Sequence, residues 1–409
     1  EKVVELKTEE NKVVTASGRE EPYDHLILAT GSFPFVPPIP GKDQPHCLVY
    51  RTIEDLEDIT ASAKESKVGV VVGGGLLGLE AANALKNLGL EVHVVEFAPR
   101  LMAVQLDEGG GELLRKKISS LGVNIHTEKN TQEIVAGENC RYSMNFADGS
   151  QLETDMILFS AGIRPQDELA RQFDIQIGER GGIVINNNCQ TSVDNVYAIG
   201  ECALWDGKIF GLVAPGYNMA KVALSHITGG EEQFTGADMS TKLKLLGVDV
   251  ASVGDAQGRT PGCLSYVYQD GVNEVYKRII VSEDKTKLLG AVLVGEVEVY
   301  GTLQQICVNG MDLPENPEAM ILPALDGNAA SAGIGVDALP DTASICSCHD
   351  VSKGDICCAV QAGATTIGEV KSSTKAGTGC GGCVALTTQL LNSELTKLGV
   401  EVNTDLCEH

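Results

Sequence analysis

Residues 344–350 read SICSCHD and residues 374–383 read TKAGTGCGGC. Together Cys346, Cys348, Cys380 and Cys383 make a C-x-C…C-x2-C set. Taken alone, the C-x2-C half suits a redox dithiol. Four thiolates with no histidine pair beside them suit zinc or a [2Fe–2S] cluster. C-x-C is uncommon but allowed in structural zinc sites. Two features favour the cluster. Glycines beside Cys380 and Cys383 free backbone N–H groups to approach cluster sulfurs. The stretch VALTTQLLNSEL (384–395) starts a helix immediately after Cys383, turning its positive end toward an anionic group. The adjacent Cys357 and Cys358 read as helix core rather than ligands.

A second chemistry-bearing stretch is VGVVVGGGLLGLE (68–80), in which Gly73, Gly75 and Gly78 form G-x-G-x-x-G between a strand and a helix. The first glycine allows the tight turn and the second lets the backbone approach a pyrophosphate. The third lets helix and strand pack closely, and the opening helix residues Leu76 and Leu77 present their N–H groups to the phosphates. The next strand, EVHVVEF (91–97), carries Glu96 near its end. A carboxylate there accepts hydrogen bonds from the adenosine ribose hydroxyls and repels a 2′-phosphate, so NADH is expected over NADPH. Gly109 to Gly111 follow two acids without a strand before them and read as a loop or helix start with no phosphate role.

These residues need a scaffold, and short apolar strands alternating with amphipathic helices supply one: an α/β protein with a doubly wound parallel sheet. The pattern runs HLILA, then KVGVVV, the helix 76–89, EVHVVEF, the helix 106–122, VNIHTE, and a hairpin with a DG turn leading into MILFSAG. Residues 181–202 add two more strands, expected to pair with each other, and 212–228 a helix. From about residue 229 apolar residues alternate with period two, which predicts an antiparallel sheet. Residues 322–344 are small and unpatterned and read as a linker. Seven of the thirteen cysteines lie from Cys346 onward, marking a separate helical, Cys-rich module.

Composition narrows the partners. A formal charge of −25 argues against any phosphate-backbone partner, so no nucleic acid is expected. No apolar run reaches the ~18–20 residues of a membrane span, so no membrane partner is expected either. The opening residues lack a secretory apolar region, and abundant unpatterned cysteines suit reduced thiols, so the expected location is cytoplasmic.

Several further motifs then carry a family resemblance. GGGLLGLE, ATGS (29–32), SAGIRP (160–165) and VYAIGEC (196–202), in this order and spacing, resemble the two-dinucleotide flavoprotein reductases. With VEFAPRLMAVQLDEGGGELL, APGYNMA and KAGTGCGGC, the chain is similar throughout to the large subunits of NADH-dependent assimilatory nitrite reductases. The Cys-rich end resembles the small helical [2Fe–2S] domain of bacterioferritin-associated ferredoxin. The resemblance implies a two-dinucleotide-binding flavoprotein fold with an α+β interface domain and a small helical Cys-rich domain. It implies a partial FAD-binding domain at 1–59 and 164–228, an NAD-binding domain at 60–163, an interface domain at 229–325, a linker at 326–341, and a [2Fe–2S] domain with tail at 342–409.

It also assigns roles. Thr30 and Gly31 lie at the flavin nucleotide, and Glu201 stands where an acid, more often Asp, binds the ribityl or pyrophosphate part of FAD. Val213 matches a flavin-contacting position. Glu80 approaches the flavin ring from the NAD domain, Gly162 flanks the nicotinamide, and Lys242 or Lys244, on one strand face, points toward the isoalloxazine. Hydride would pass from NADH to FAD, and single electrons to the cluster at Cys346, Cys348, Cys380 and Cys383. A sirohaem and [4Fe–4S] domain, working with a small subunit, would then reduce nitrite to ammonia in nitrate assimilation. The sequence opens beyond the family's first G-x-G-x-x-G and ends before that sirohaem domain. It therefore reads as a processed product or expression fragment, expected to hold FAD weakly and not to reduce nitrite by itself. Rival readings are a ferredoxin- or rubredoxin-type NADH reductase and a non-catalytic NAD module with structural zinc.

Overall fold

The computed structural model describes residues 1–323, 336–346, 349–379 and 381–400. The chain divides into two compact units, Glu1–Ala103 with Arg115–Met239 and Val104–Leu114 with Ser240–His409.

At the centre of the first unit is a five-stranded parallel sheet in the order Cys47–Val49, Met156–Phe159, Val68–Val72, Glu91–Val95, Val123–His126. Its inner strands are nearly continuous apolar runs, and Val70, Val71, Val94, Met156 and Ile157 are fully buried. Such runs are what a parallel sheet covered on both faces requires. Helix Leu76–Asn87 covers one face with Leu79, Ala82 and Leu85. The antiparallel strands Thr131–Ala136, Tyr142–Phe146 and Gln151–Thr154 bring Ile134, Met144 and Phe146 into the core shared with Val70, Val72 and Phe159. The hairpin at the DG turn is present, joined by the strand Thr131–Ala136, which alternation within 123–140 is too weak to announce.

The rest of this unit is built around Leu28, Tyr197, Met219 and Phe234. Strand Leu26–Leu28 pairs in parallel with Val196–Ala198. Here one sequence expectation is corrected. The strands Ile183–Ile185 and Val196–Ala198 do not form a ladder with each other; the first pairs in parallel with Ala203–Trp205. A partner distant in sequence can supply equivalent hydrogen bonds, and local alternation does not say which strand takes them.

The second unit contains the expected antiparallel sheet, ordered Thr241–Leu245, Val248–Gly254, Leu288–Val294, Val275–Val281, Leu264–Asp270. Helix Tyr300–Val308 packs Leu303 and Ile306 against Ile279, Ala291 and Leu293. Gly109 and Gly110 lie in the helix Glu108–Ser120 as packing residues. A Cβ on Gly109 would sit 2.5 Å from the Tyr276 ring, and one on Gly110 2.9 Å from Val292. Beside them Asp107 accepts from Tyr276 Oη at 2.6 Å and Arg278 Nη1 at 3.0 Å.

The Cys-rich module has its own small core of Ile345, Ile356, Val360, Val370, Leu390 and Leu391. Strand Ser344–Cys346 leads to helices Lys353–Gln361, Ile367–Thr374 and Val384–Lys397. The first two begin in reciprocal capping boxes, Ser352 with Asp355 and Thr366 with Glu369. Each box satisfies backbone N–H groups that a short helix would otherwise leave exposed. Cys357 is buried as expected for core, whereas Cys358, one residue on and about 100° around the helix, is exposed.

Candidate functional site

The glycine loop between strand Val68–Val72 and helix Leu76–Asn87 is set by backbone contacts. Gly73 has φ +122°, and a Cβ there would lie 2.2 Å from Ser160 O. A Cβ on Gly78 would meet Gly73 O at 1.9 Å, so strand and helix approach only because the third position is glycine. Gly75 differs: nothing lies within 4 Å of its Cβ position, and it caps the helix without a side chain. The first turn thus opens at Leu76 and Leu77, whose N–H groups a helix start leaves without an intrahelical partner, beside the open space at Gly75, the arrangement that receives a pyrophosphate.

Glu96 is half-buried beside this loop. Its Oε2 accepts from Gly74 N at 2.5 Å and its Oε1 from Ala98 N at 2.6 Å. Each carboxylate oxygen keeps a further lone pair, so a ribose hydroxyl can still be accepted. The backbone around it is tied down as well, with Gly73 N donating to Val95 O at 2.8 Å and Lys129 N to Glu96 O at 3.0 Å. Glu80 is exposed on the same helix, one turn beyond Leu76 and Leu77.

A second cluster in the first unit joins residues far apart in sequence. Ser32, next to Thr30 and Gly31, donates from Oγ to Glu201 Oε2 at 2.5 Å. Arg51 Nη2 donates to the same oxygen at 2.9 Å and approaches Ser32 Oγ at 3.1 Å. Thr30 Oγ1 donates to Gln166 O, and Gln166 N returns a bond to Gly31 O at 2.8 Å. Strand Ser32–Pro34 pairs with Ile163–Pro165, so Gly162, whose carbonyl accepts from Phe35 N at 2.9 Å, lies at the end of the same ribbon.

Gly31, Gly162 and Gly200 all have positive φ (69°, 99° and 74°), with nothing within 4 Å of a Cβ. Val213, the first residue of helix Val213–Ile227, is 68% exposed. Open glycine backbone beside a fixed carboxylate fits the polyol and phosphates of a flavin nucleotide. Sequence reasoning missed Ser32 and Arg51. Arg51 lies 150 residues from Glu201, and its local role, N–H to Asp55 Oδ2 at 2.9 Å at a helix start, gives no hint of the carboxylate it also holds.

In the second unit Lys242 and Lys244 are both exposed on one face of Thr241–Leu245, with Lys242 Nζ 5.9 Å from the Tyr300 ring centre. Of the four candidate thiolates, Cys348 and Cys380 lie outside the described residues. The other two, one from each motif, meet: the Cys346 and Cys383 side chains are hydrogen-bonded to each other. Cys346 is buried, and Cys383 stands at the start of helix Val384–Lys397. The Cys346 thiol against it, and then burial, push the Cys383 thiol well above its ordinary range, while Thr387 and the Gly377 N–H act the other way. Two cysteines in hydrogen-bonding contact, with an N–H group and a helix start at their side, form a donor set that fits a thiolate-held cluster. A metal that displaces the protons relieves the mutual destabilisation of two thiolates.

Comparison with known proteins gives the family and its domains. Residues 1–226 match the family described as pyridine nucleotide-disulphide oxidoreductase, 240–310 the rubredoxin NAD+ reductase C-terminal domain, and 344–393 the BFD-like [2Fe-2S] binding domain. The chain is 60% identical, over all of its length and 48% of the relative's, to the nitrite reductase (NADH) large subunit of Escherichia coli (strain K12). It is 38% identical, over 97% of the chain and 51% of the relative, to the assimilatory nitrate reductase electron transfer subunit of Bacillus subtilis (strain 168). It thus spans about half the length of these relatives. Among solved structures, a NAD-dependent persulfide reductase from A. fulgidus superposes with a TM-score of 0.67 at 28% identity, covering 76% of this chain and 62% of that one. The chain belongs to the pyridine nucleotide-disulphide oxidoreductase family, with the two-dinucleotide fold of its FAD- and NAD(H)-using members and a BFD-like [2Fe–2S] domain at its C-terminal end.

Proposed function

We propose that this chain is the electron-input part of an NADH-dependent nitrite reductase. One observation carries the reading: a preformed dinucleotide cradle and a cysteine pair assembled from two separate motifs occur on the same chain. In this reading the loop Gly73–Gly78 and the start of its helix bind the NADH pyrophosphate, and Glu96 takes the adenosine ribose. Gly162 leaves room for the nicotinamide, and Glu80, exposed on helix Leu76–Asn87, is assigned to the flavin ring. Thr30, Gly31 and Glu201, held by Ser32 and Arg51, bind the flavin nucleotide, with Val213 beside it. Lys242 and Lys244 are assigned to the flavin ring. Cys346, Cys348, Cys380 and Cys383 hold the cluster. When bound, FAD and the cluster supply the conversion of a two-electron hydride donor into single electrons. No side chain of this chain is required to act as nucleophile or general base.

Full activity needs more than this chain. We assign the reduction of nitrite to ammonia to a sirohaem domain elsewhere in the complete protein, acting in the cytoplasm with a small subunit. The relatives' names support nitrite as the substrate and a second subunit, and their extra length supports a further domain. No helix among the described residues is long and apolar enough to cross a membrane. The test compares two assays on the purified chain. It should pass electrons from NADH to an artificial one-electron acceptor and leave nitrite untouched. Nitrite consumption by this chain alone, or no NADH oxidation once FAD and iron are supplied, would overturn the assignment.

A further inference from the structure

The two cysteine motifs are tied together at a second point. His349, one residue after Cys348, and Thr378, two before Cys380, are hydrogen-bonded at 3.1 Å between Nε2 and Oγ1. The residues are 29 apart in sequence, so this bond joins the two loops and not neighbours on one loop. Thr378 is itself fixed. Its Oγ1 lies 2.8 Å from Lys375 O, the carbonyl of the left-handed residue that ends helix Ile367–Thr374. A hydroxyl has a single proton, and the carbonyl can only accept. The Thr378 proton therefore goes to Lys375 O, and His349 donates Nε2–H to the hydroxyl oxygen.

We propose that His349 is a positioning residue for the cluster: its bond to Thr378 ties the two cysteine motifs together and slows loss of the thiolate-held group. The inference rests on the reading of this module as a [2Fe–2S] domain. Both side chains are exposed, and the module's fold is held elsewhere, by the buried core of Ile356, Val360, Val370, Leu390 and Leu391. An exposed bond of this kind contributes little to folding. Its consequence is local, because it joins a residue next to one cysteine motif to a residue next to the other.

The experiment uses the full chain as wild type, His349→Ala, Thr378→Val and Thr378→Ser, each analysed for iron and acid-labile sulfide, then challenged with an iron chelator. The thermal midpoint of the iron-free proteins is recorded beside it. The two deletions should release iron about five- to tenfold faster, the scale of one modest hydrogen bond, and shift the g-values of the reduced cluster. Thr378→Ser, which keeps the hydroxyl, should behave like wild type, and all iron-free midpoints should agree. Iron-loaded proteins that release iron at equal rates would overturn the clasp while leaving the cluster reading intact. So would a lowered iron-free midpoint that accounts for the faster loss. A wild type that takes up zinc or no metal would overturn the cluster reading and the clasp with it.

Discussion

In the proposed reading, the dinucleotide loop and the cysteine module solve the same problem, holding an anionic group at a helix start, in opposite ways. In the loop the geometry is complete before any ligand arrives. Gly73 and Gly78 are wedged against carbonyl oxygens, and both Glu96 oxygens are anchored to backbone N–H groups. In the module the Cys346 thiol and burial push the Cys383 thiol well above its ordinary range, so its ligand-binding form is favoured only when a metal displaces the proton. The first site binds by preorganisation. The second is completed by what it binds. Substitutions should therefore act differently in the two places.

The largest effect is expected at the module. Cys383→Ser should abolish the cluster's visible absorption, because an alcohol does not replace a thiolate ligand, yet leave NADH binding in the other unit unchanged. Retained cluster absorption in that variant would contradict the assignment of Cys383. In the loop, Gly78→Ala pushes a Cβ to within 1.9 Å of the Gly73 carbonyl. Overpacking against backbone should cost about 1–3 kcal/mol of stability, read as a lower denaturant midpoint, with NADH affinity falling as helix and strand separate. A fully stable Gly78→Ala protein would break the comparison.

Glu96→Ala should be milder for the fold and selective in binding. Charged hydrogen bonds contribute about 1.5–3 kcal/mol, so kcat/KM for NADH should fall roughly ten- to hundredfold while that for NADPH falls less. An unchanged ratio of the two would remove Glu96 from the ribose site.

How far these sites could be read from sequence follows the same division. The strand–glycine–helix unit was legible because steric need leaves marks at fixed spacing, and the antiparallel sheet beyond residue 229 was legible from its period of two. Arg51 and Ser32 were not, since each meets Glu201 only through the tertiary fold. The pairing of Ile183–Ile185 with Ala203–Trp205 was missed because strand alternation fixes faces and leaves partners open. Cys357 and Cys358 were read alike, but successive helix positions point about 100° apart, so only one of them reaches the core. The thiol set was visible as spacing, and His349 with Thr378 was not, because neither type at that spacing announces a bond.

The smallest expected effect is in the five-stranded parallel sheet of the first unit, at a histidine pair whose His126 O also accepts from Glu96 N at 2.8 Å. His93 Nδ1 and His126 Nε2 are 3.0 Å apart, with Glu91 3.3 Å from His93 Nε2. Burial lowers both pKa values; the carboxylate of Glu91 partly opposes this at His93, while His93 and Lys129 add to it at His126. The folded form thus binds fewer protons than the unfolded chain just below the ordinary histidine pKa of about 6.5. Stability is full above that pH and is lost as pH falls toward the lowered values. The thermal midpoint should decline on acidification through this window, and His93→Gln with His126→Gln should flatten the decline. An equal slope in the double variant would assign the acid sensitivity elsewhere.

In the proposed relay the dinucleotide site supplies electrons to the cysteine module. Anaerobic addition of NADH to the FAD- and iron-loaded chain, followed by optical absorption and low-temperature electron paramagnetic resonance, tests it directly. The account predicts bleaching of the flavin bands together with a paramagnetic signal from a reduced [2Fe–2S] cluster, and loss of that signal alone in Cys383→Ser. A flavin that bleaches while the wild-type cluster stays oxidised, or a colourless zinc-containing module, would contradict it.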